Sequence, residues 1–147
     1  MEKKLTNKIV AFEYILYKLN EWYKDNNGEK ENDLSILKAM KLLFFVSGVD
    51  VEKNLLSTFD NFQAWQYGHV EADVYKEYSK VDGNLSCLKI DRNKTIFEEK
   101  IDERNNLKYA LEEFYNYVIS KKSNKKIAIG VAKVIEQVNI LKNGSNL

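Results

Sequence analysis

Apolar and polar positions alternate with helical spacing over the first part of the chain. Apolar side chains recur every three or four positions and so share one helix face; they are Leu5, Ile9, Phe12, Leu16, Leu19 and Tyr23. The polar run DNNG follows, and glycine adopts the left-handed cap conformation most easily. The pattern predicts a first helix that ends near Gly28, with Asn32 or Asp33 capping the next helix through its side-chain oxygen.

The stretch DLSILKAMKLLFFVSG, residues 33–48, is apolar around most of its circumference. Helices of this kind lie centrally in a fold. The polar stripe is narrow: at about 100° per residue, Lys38 and Lys41 lie within about 60° of each other, and Phe45 projects between them. An aromatic side chain on the charged stripe of an otherwise buried helix is a candidate exposed anchor.

Residues 61–80, NFQAWQYGHVEADVYKEYSK, combine several aromatic side chains with the only histidine of the chain. We expect a short extended segment that Gly68 interrupts, because the first part is too short and too aromatic for a helix. From His69 onward the spacing predicts a helix whose buried side is formed by Val70, Val74 and Tyr78.

The remaining chain is predicted to contain a small β element and two further helices. LSCLKIDRNKTIFEEKI, residues 85–101, has two β-prone runs around a polar turn, as in a hairpin. One helical stripe follows at Leu107, Leu111, Phe114 and Val118, then a solvated KKSNKK connector, and then a second stripe at Ile127, Val131, Val134, Val138 and Leu141. We therefore predict a mainly α, single-domain helical bundle with a small β-hairpin or short extended element, spanning residues 1–142, with 143–147 frayed.

Composition narrows the classes of partner. The chain has 147 residues and a formal net charge of +1, so its composition lacks the basic excess expected of a nucleic-acid-binding protein. Its single cysteine excludes an internal disulfide and favours a reducing, cytoplasmic setting. No run approaches the roughly 20 apolar residues that cross a bilayer. Nucleic acid and membrane are both disfavoured as partners.

The sequence contains no recognisable catalytic or metal-binding motif. One histidine and one cysteine cannot supply a zinc site, and neither a phosphate-binding glycine loop nor a GxSxG elbow occurs. Cys87 lies in a run typical of a half-buried strand, where cysteine acts as a small hydrophobe. His69 fits packing or capping better than acid–base chemistry. We predict no enzyme activity, no cofactor and no metal, and we leave open whether Trp65 and Tyr67 belong to the core or to an interface.

Two blocks, LSILKAMKLLFFVSG and FQAWQYGHVEADVYKEY, resemble in order and spacing the Panacea domain, an antitoxin family that includes phage-associated GepA-like and SocA-like proteins. Members show LKLxKLLYF, which maps onto residues 37–45, followed by EAWxYGPVxxxVYxEY. The second block matches at Ala64, Trp65, Tyr67, Gly68, Val70, Val74, Tyr75, Glu77 and Tyr78. His69 replaces the proline of the family, and the HxxSPW-like ending of many members is missing.

The resemblance implies an antitoxin that neutralises the toxin of a neighbouring gene by direct protein–protein binding. Some relatives instead act as adaptors that deliver a toxin to a protease, so a protease is a second candidate partner. A small DNA-binding regulator and an enzyme that uses His69 are further alternatives. The helical stripes could also pack across a homodimer. The predicted partner-binding residues are Lys38, Lys41, Phe45, Trp65, Tyr67, His69 and Tyr75.

Overall fold

The computed structural model describes residues 2–28, 31–79, 88–91, 94–98, 100–102 and 107–144. These residues form the helices α1 Glu2–Asn27, α2 Ile36–Gly48, α3 Ala72–Tyr78, α4 Leu111–Val118 and α5 Lys121–Gly144. They also form three antiparallel hairpins: β1 Phe62–Trp65 with β2 Gly68–Glu71, β3 Leu88–Asp91 with β4 Lys94–Phe97, and β5 Lys100–Asp102 with β6 Leu107–Tyr109. The mainly α fold class is confirmed.

Helix α1 is buried over a wider arc than its apolar stripe predicted. Every residue from Lys8 to Leu16 is buried, including two charged side chains, Lys8 and Glu13. Tyr115 of α4 donates its hydroxyl hydrogen to Glu13 Oε1 at 2.9 Å, which helps to solvate that carboxylate inside the core. The helix ends where predicted, because Gly28 follows it with φ +64.

Helix α2 lies at the centre, as predicted, with its buried side formed by Ala39, Met40, Leu43, Val46 and Ser47. The predicted cap was wrong: Ser35 caps the helix by accepting a hydrogen bond from the Lys38 amide. Asn32 instead accepts hydrogen bonds from the amides of Leu34 and Thr95, so it ties the segment before α2 to strand β4. Asp33 forms an ion pair with the Lys38 ammonium.

Three predicted helix boundaries were wrong. Residues 68–71 form strand β2, so α3 begins only at Ala72, although Val70, Val74 and Tyr78 are buried as expected. Leu107 belongs to strand β6, and α4 begins at Leu111. The KKSNKK run is not a connector but the first turns of α5, where the Ser120 hydroxyl accepts a hydrogen bond from the Ser123 amide.

The second hairpin, β3–β4, confirms the prediction made from its β-prone runs. It is joined to the helices through Thr95, whose hydroxyl bonds to the Tyr78 hydroxyl and donates to the Leu34 carbonyl oxygen. Cys87 and most of the predicted frayed tail lie outside the described residues. In the described part of the chain, no helix combines the length and the apolar character needed to span a membrane.

Candidate protein-interaction surface

Strands β1 and β2 form a hairpin that projects the aromatic segment from the helical body. Trp65 pairs with Gly68, which leaves Gln66 and Tyr67 as the turn. Gly68 has φ +121, a conformation that residues with a side chain rarely adopt, so glycine is required there. His69 therefore lies in strand β2 and not at the start of a helix, where its spacing had placed it.

An ionic cluster around two buried side chains, Lys8 and Glu71, holds the base of this hairpin. The Lys8 ammonium nitrogen lies 2.8 Å from Asp60 Oδ1, 2.9 Å from Glu71 Oε2 and 2.7 Å from Asp73 Oδ2. Asp60 precedes β1, Glu71 ends β2, and Asp73 lies in the first turn of α3. One lysine of α1 thus connects both ends of the hairpin to the core.

Glu71 is the centre of the cluster because its side chain also caps α3. Its carboxylate accepts hydrogen bonds from the amides of Asn61, Asp73 and Val74. Burial alone would lower the pKa of Lys8, but its hydrogen bonds to the three carboxylates outweigh burial and raise that pKa. The pKa of Asp73 is lowered, chiefly by its hydrogen bond to Lys8. Both shifts favour the charged forms of lysine and aspartate.

The three carboxylates have the spacing of a cation site. One oxygen from each of Asp60, Glu71 and Asp73 lies within 4.8 Å of the others. Carboxylate oxygens at such a spacing are typical ligands of a divalent ion. Here the Lys8 ammonium already bonds to all three groups and supplies the positive charge. We therefore interpret the cluster as a structural clamp.

A chain of hydrogen bonds runs from this cluster to Trp65. Asn61 Nδ2 donates to Asp73 Oδ1 at 3.0 Å, Gln63 Nε2 donates to Asn61 Oδ1 at 3.2 Å, and Trp65 Nε1 donates to Gln63 Oε1 at 3.0 Å. The Trp65 ring also meets the Tyr75 ring edge-on, with 5.0 Å between centroids. Trp65 is 43% exposed, yet its orientation is fixed by these contacts.

His69 packs on α2 from the other side of the hairpin. Its ring stacks on Phe44 with centroids 4.2 Å apart and an angle of 7° between the planes. Phe44 also meets Phe62 edge-on at 5.3 Å, and the Phe45 ring lies 6.2 Å from Phe44. These rings form a continuous surface from α2 to the hairpin.

The predicted partner-binding residues of the hairpin, Trp65, Tyr67 and His69, do not share one face. Trp65 pairs with Gly68 and Ala64 pairs with His69, and neighbouring residues of a strand point to opposite faces. Trp65 and Tyr75 therefore lie on one face, whereas His69 lies on the face that meets α2. Tyr67, 68% exposed, stands at the turn between them.

On α2, Phe45 is 56% exposed, as its place on the polar stripe predicted. Lys38 and Lys41 are both exposed. Of the two, only Lys38 forms an ion pair with a described residue. Lys38 Nζ lies 2.6 Å from Asp33 Oδ2, and this hydrogen bond lowers the pKa of Asp33. We name the set Phe45, Trp65, Tyr67 and His69, which includes residues of both faces of the hairpin and the exposed side of α2, the aromatic surface.

Sequence patterns did not reveal the clamp that supports the aromatic surface. Lys8 lies 52 to 65 positions from its hydrogen-bond partners Asp60 and Asp73, so no local pattern links them. A faint signal existed: Lys8 immediately precedes the stripe residue Ile9 and lies one turn before Phe12. A lysine so close to a buried stripe needs a nearby carboxylate.

A cavity of about 690 Å³ lies between α1, the turn at 55–59 and the junction of α4 with α5. Its described lining includes the hydroxyl groups of Ser57, Thr58, Ser120 and Ser123, and none of these lining residues is His, Cys, Asp or Glu. The described residues that line this cavity therefore lack the acid–base pairs from which most hydrolytic sites are built.

Comparisons with family models, with curated proteins and with solved structures found no match to this chain. The resemblance of its two sequence blocks to the Panacea domain stays a prediction.

Proposed function

We propose that this protein is a cytoplasmic binding module that neutralises the toxin of a neighbouring gene by direct contact through the aromatic surface. One observation supports the proposal most: large aromatic side chains are exposed on a hairpin whose base is clamped by a buried lysine. Exposed tryptophan, tyrosine and phenylalanine are the side chains most often found at the centre of protein interfaces.

The rigidity of the support matters as much as the exposed area. A side chain that must be ordered on binding costs about 0.5 to 1.5 kcal/mol of entropy. Trp65 is already held by Gln63 and Tyr75, and His69 is already stacked on Phe44. A partner that docks here would lose little free energy to ordering these rings, so their buried area would contribute to affinity.

Replacing Phe45 with alanine is expected to weaken toxin binding by about 2 kcal/mol, which is about thirtyfold in affinity. The fold should be unchanged, because surface substitutions shift stability by only about 0.5 kcal/mol. Binding would be measured by calorimetry with the purified toxin, and stability by urea unfolding.

Tyr117→Ala is the matched control, since Tyr117 is an aromatic residue on α4 that is 91% exposed. Its loss should leave toxin affinity within about twofold of the original value. An unfolded Phe45→Ala protein would show that Phe45 belongs to the core. Equal losses from both variants would refute a specific role for the aromatic surface.

Co-expression with the adjacent open reading frame tests the function as a whole. The neighbour alone should arrest growth, and this protein should relieve the arrest. A neighbour that is harmless alone, or whose toxicity this protein does not relieve, would refute the proposal.

A further inference from the structure

Three exposed side chains form a line along α2, in which a cation lies between two apolar groups. Leu37, Lys41 and Phe45 follow each other at four-residue intervals, and all three are exposed. Residues four apart lie on neighbouring turns of the same helix face, about 6 Å apart along the axis. The face therefore presents an apolar group, a cation and a second apolar group over about 12 Å.

All charged side chains of helix α2 and of hairpin residues 62–70 are lysines. Helix α2 contains Lys38 and Lys41 and no acidic residue, and residues 62–70 of the hairpin contain none either. The charge of Lys38 is offset by Asp33 at 2.6 Å. Lys41 lies between the two apolar groups, and it forms no ion pair with any residue that the structure describes.

We infer that the partner docks on this line with a helix whose face carries a carboxylate between two apolar side chains at the same spacing. The inference deepens the proposed function and rests on it. Amphipathic helices present their anchor side chains at intervals of three and four residues, so side chains at i, i+4 and i+8 of such a helix can follow this line on α2. Its carboxylate would meet Lys41, while its apolar side chains would cover Leu37 and Phe45.

The rings beside this line extend the contact. Phe45 adjoins Phe44, on which His69 is stacked, so a helix placed along Leu37, Lys41 and Phe45 would reach the hairpin at its far end. The carboxylate supplies register more than affinity, because an exposed ion pair contributes little energy but disfavours the wrong alignment.

The test uses two synthetic peptides of about 15 residues, long enough for four helical turns. Both carry leucine at i and i+8. In one, glutamate stands at i+4; in the other, the same glutamate is moved to i+6, on the opposite face of the helix. Amide chemical shifts of the isotope-labelled protein report binding and its location. The i+4 peptide should bind about threefold to fivefold more tightly and should shift signals from α2 and the hairpin.

Two substitutions test whether Lys41 is responsible for the tighter binding of the i+4 peptide. Lys41→Glu should weaken binding of the i+4 peptide about tenfold, because attraction becomes repulsion. Lys125→Glu, on an exposed position of α5, changes the net charge equally and should leave binding within about twofold. A thymine oligonucleotide is the third probe, since lysine beside aromatic rings can also bind single strands.

Equal affinity for the two peptides, no shift up to about 1 mM peptide, or an unchanged affinity of Lys41→Glu would overturn the inference. Tighter binding of the oligonucleotide than of the i+4 peptide would assign the surface to nucleic acid and overturn it too. None of these results would affect relief of toxicity in co-expression, so failure here is distinct from failure of the proposed function.

Discussion

Replacement of Lys8 by methionine is expected to lower the free energy of unfolding by about 3 to 5 kcal/mol. Methionine fills a similar volume, so the change removes the charge while keeping most of the packing. Glu71 would remain fully buried, with amide donors but without its counter-charge. The carboxylates of Asp60 and Asp73 would then repel it at close range. Urea unfolding followed by circular dichroism measures the loss.

Lys38→Met is the matched control because it breaks an ion pair of similar length in a different environment. Lys38 and Asp33 are 2.6 Å apart, yet both side chains are more than half exposed. Water screens such a pair, and its loss should cost no more than about 1 kcal/mol. Comparable losses from the two variants would show that burial does not set the energy of the Lys8 cluster.

The loss should depend on pH in a specific direction. Lys8 holds the pKa of Asp73 below its ordinary value, so ionised Asp73 stabilises the fold above its unfolded pKa of about 3.9. That contribution disappears as the pH falls through the lowered folded-state pKa. Without Lys8 the pKa of Asp73 loses the largest cause of its lowering, and the stabilities of the two proteins should converge below about pH 4. Above about pH 4 the gap should be constant, and a gap that also stays constant as the pH falls below 4 would indicate lost packing instead.

A second substitution separates charge from shape. Adding Glu71→Gln to Lys8→Met removes the uncompensated anion while preserving one side-chain oxygen for the α3 amides. The double variant should recover about 1 to 3 kcal/mol relative to Lys8→Met, as expected for coupled partners. A double variant that is less stable than Lys8→Met would contradict the electrostatic explanation.

The clamp also links the stability of the fold to the aromatic surface. Lys8 bonds to residues on both sides of the β1–β2 hairpin, and the hydrogen bonds through Asn61 and Gln63 continue to Trp65. An isolated two-stranded hairpin is only marginally stable in water. The clamp and the packing of Phe44 against the other face of the hairpin therefore hold the aromatic surface in place.

The sequence pattern predicted the structure correctly in the elements whose buried residues follow the helical period. The apolar stripe of α1, the left-handed Gly28 and the nearly continuous apolar surface of α2 each predicted what the structure shows. The exposure of Phe45 followed from its angular position between two lysines. In these elements local propensity and tertiary packing favour the same conformation.

The pattern failed where a strand and a helix share one buried side. Val70, Val74 and Tyr78 are spaced by four and are all buried, as a single helix would require. Val70 nevertheless belongs to β2, because pairing of Gln63 with Val70 in the hairpin overrides the helical period. Leu107 was misassigned in the same way, since β6 precedes α4. Spacing alone cannot distinguish these cases.

The clamp itself could not be predicted, because its partners are brought together only by the fold. Lys8 borders the apolar stripe of α1, but Asp60, Glu71 and Asp73 occur in an ordinary polar context that does not identify them as its partners. The burial of Lys8 and Glu71 depends on α1 packing against α3, and the turn before β1 brings Asp60 to the same lysine. Long-range ion pairs of this kind leave no periodic signal.

Replacement of Gly130 by leucine is the other change with a large expected effect, because two helices touch at this position. A Cβ atom built on Gly130 of α5 would lie 2.6 Å from the backbone carbonyl oxygen of Val46 in α2, and 3.0 Å from Val46 Cγ1. A backbone atom cannot rotate away as a side chain can, so α2 and α5 would have to separate. We expect a loss of about 3 kcal/mol or more, at the upper end of the cost of overpacking.

Two control substitutions test whether the close contact at Gly130 causes the loss of stability: a smaller side chain at the same position, and the same side chain at an open position. Gly130→Ala should lose less than Gly130→Leu, because alanine adds one carbon and gains about 1 kcal/mol of helix propensity over glycine. Gly48→Leu, at the end of α2, meets nothing within 4 Å and should change stability by no more than about 0.5 kcal/mol. Because α2 carries Phe44 and Phe45, moving it should also disturb the stacking of Phe44 on His69. If Gly130→Leu matched Gly48→Leu in thermal unfolding, the close approach of α2 and α5 would be wrong, and with it the placement of α2 beneath the aromatic surface.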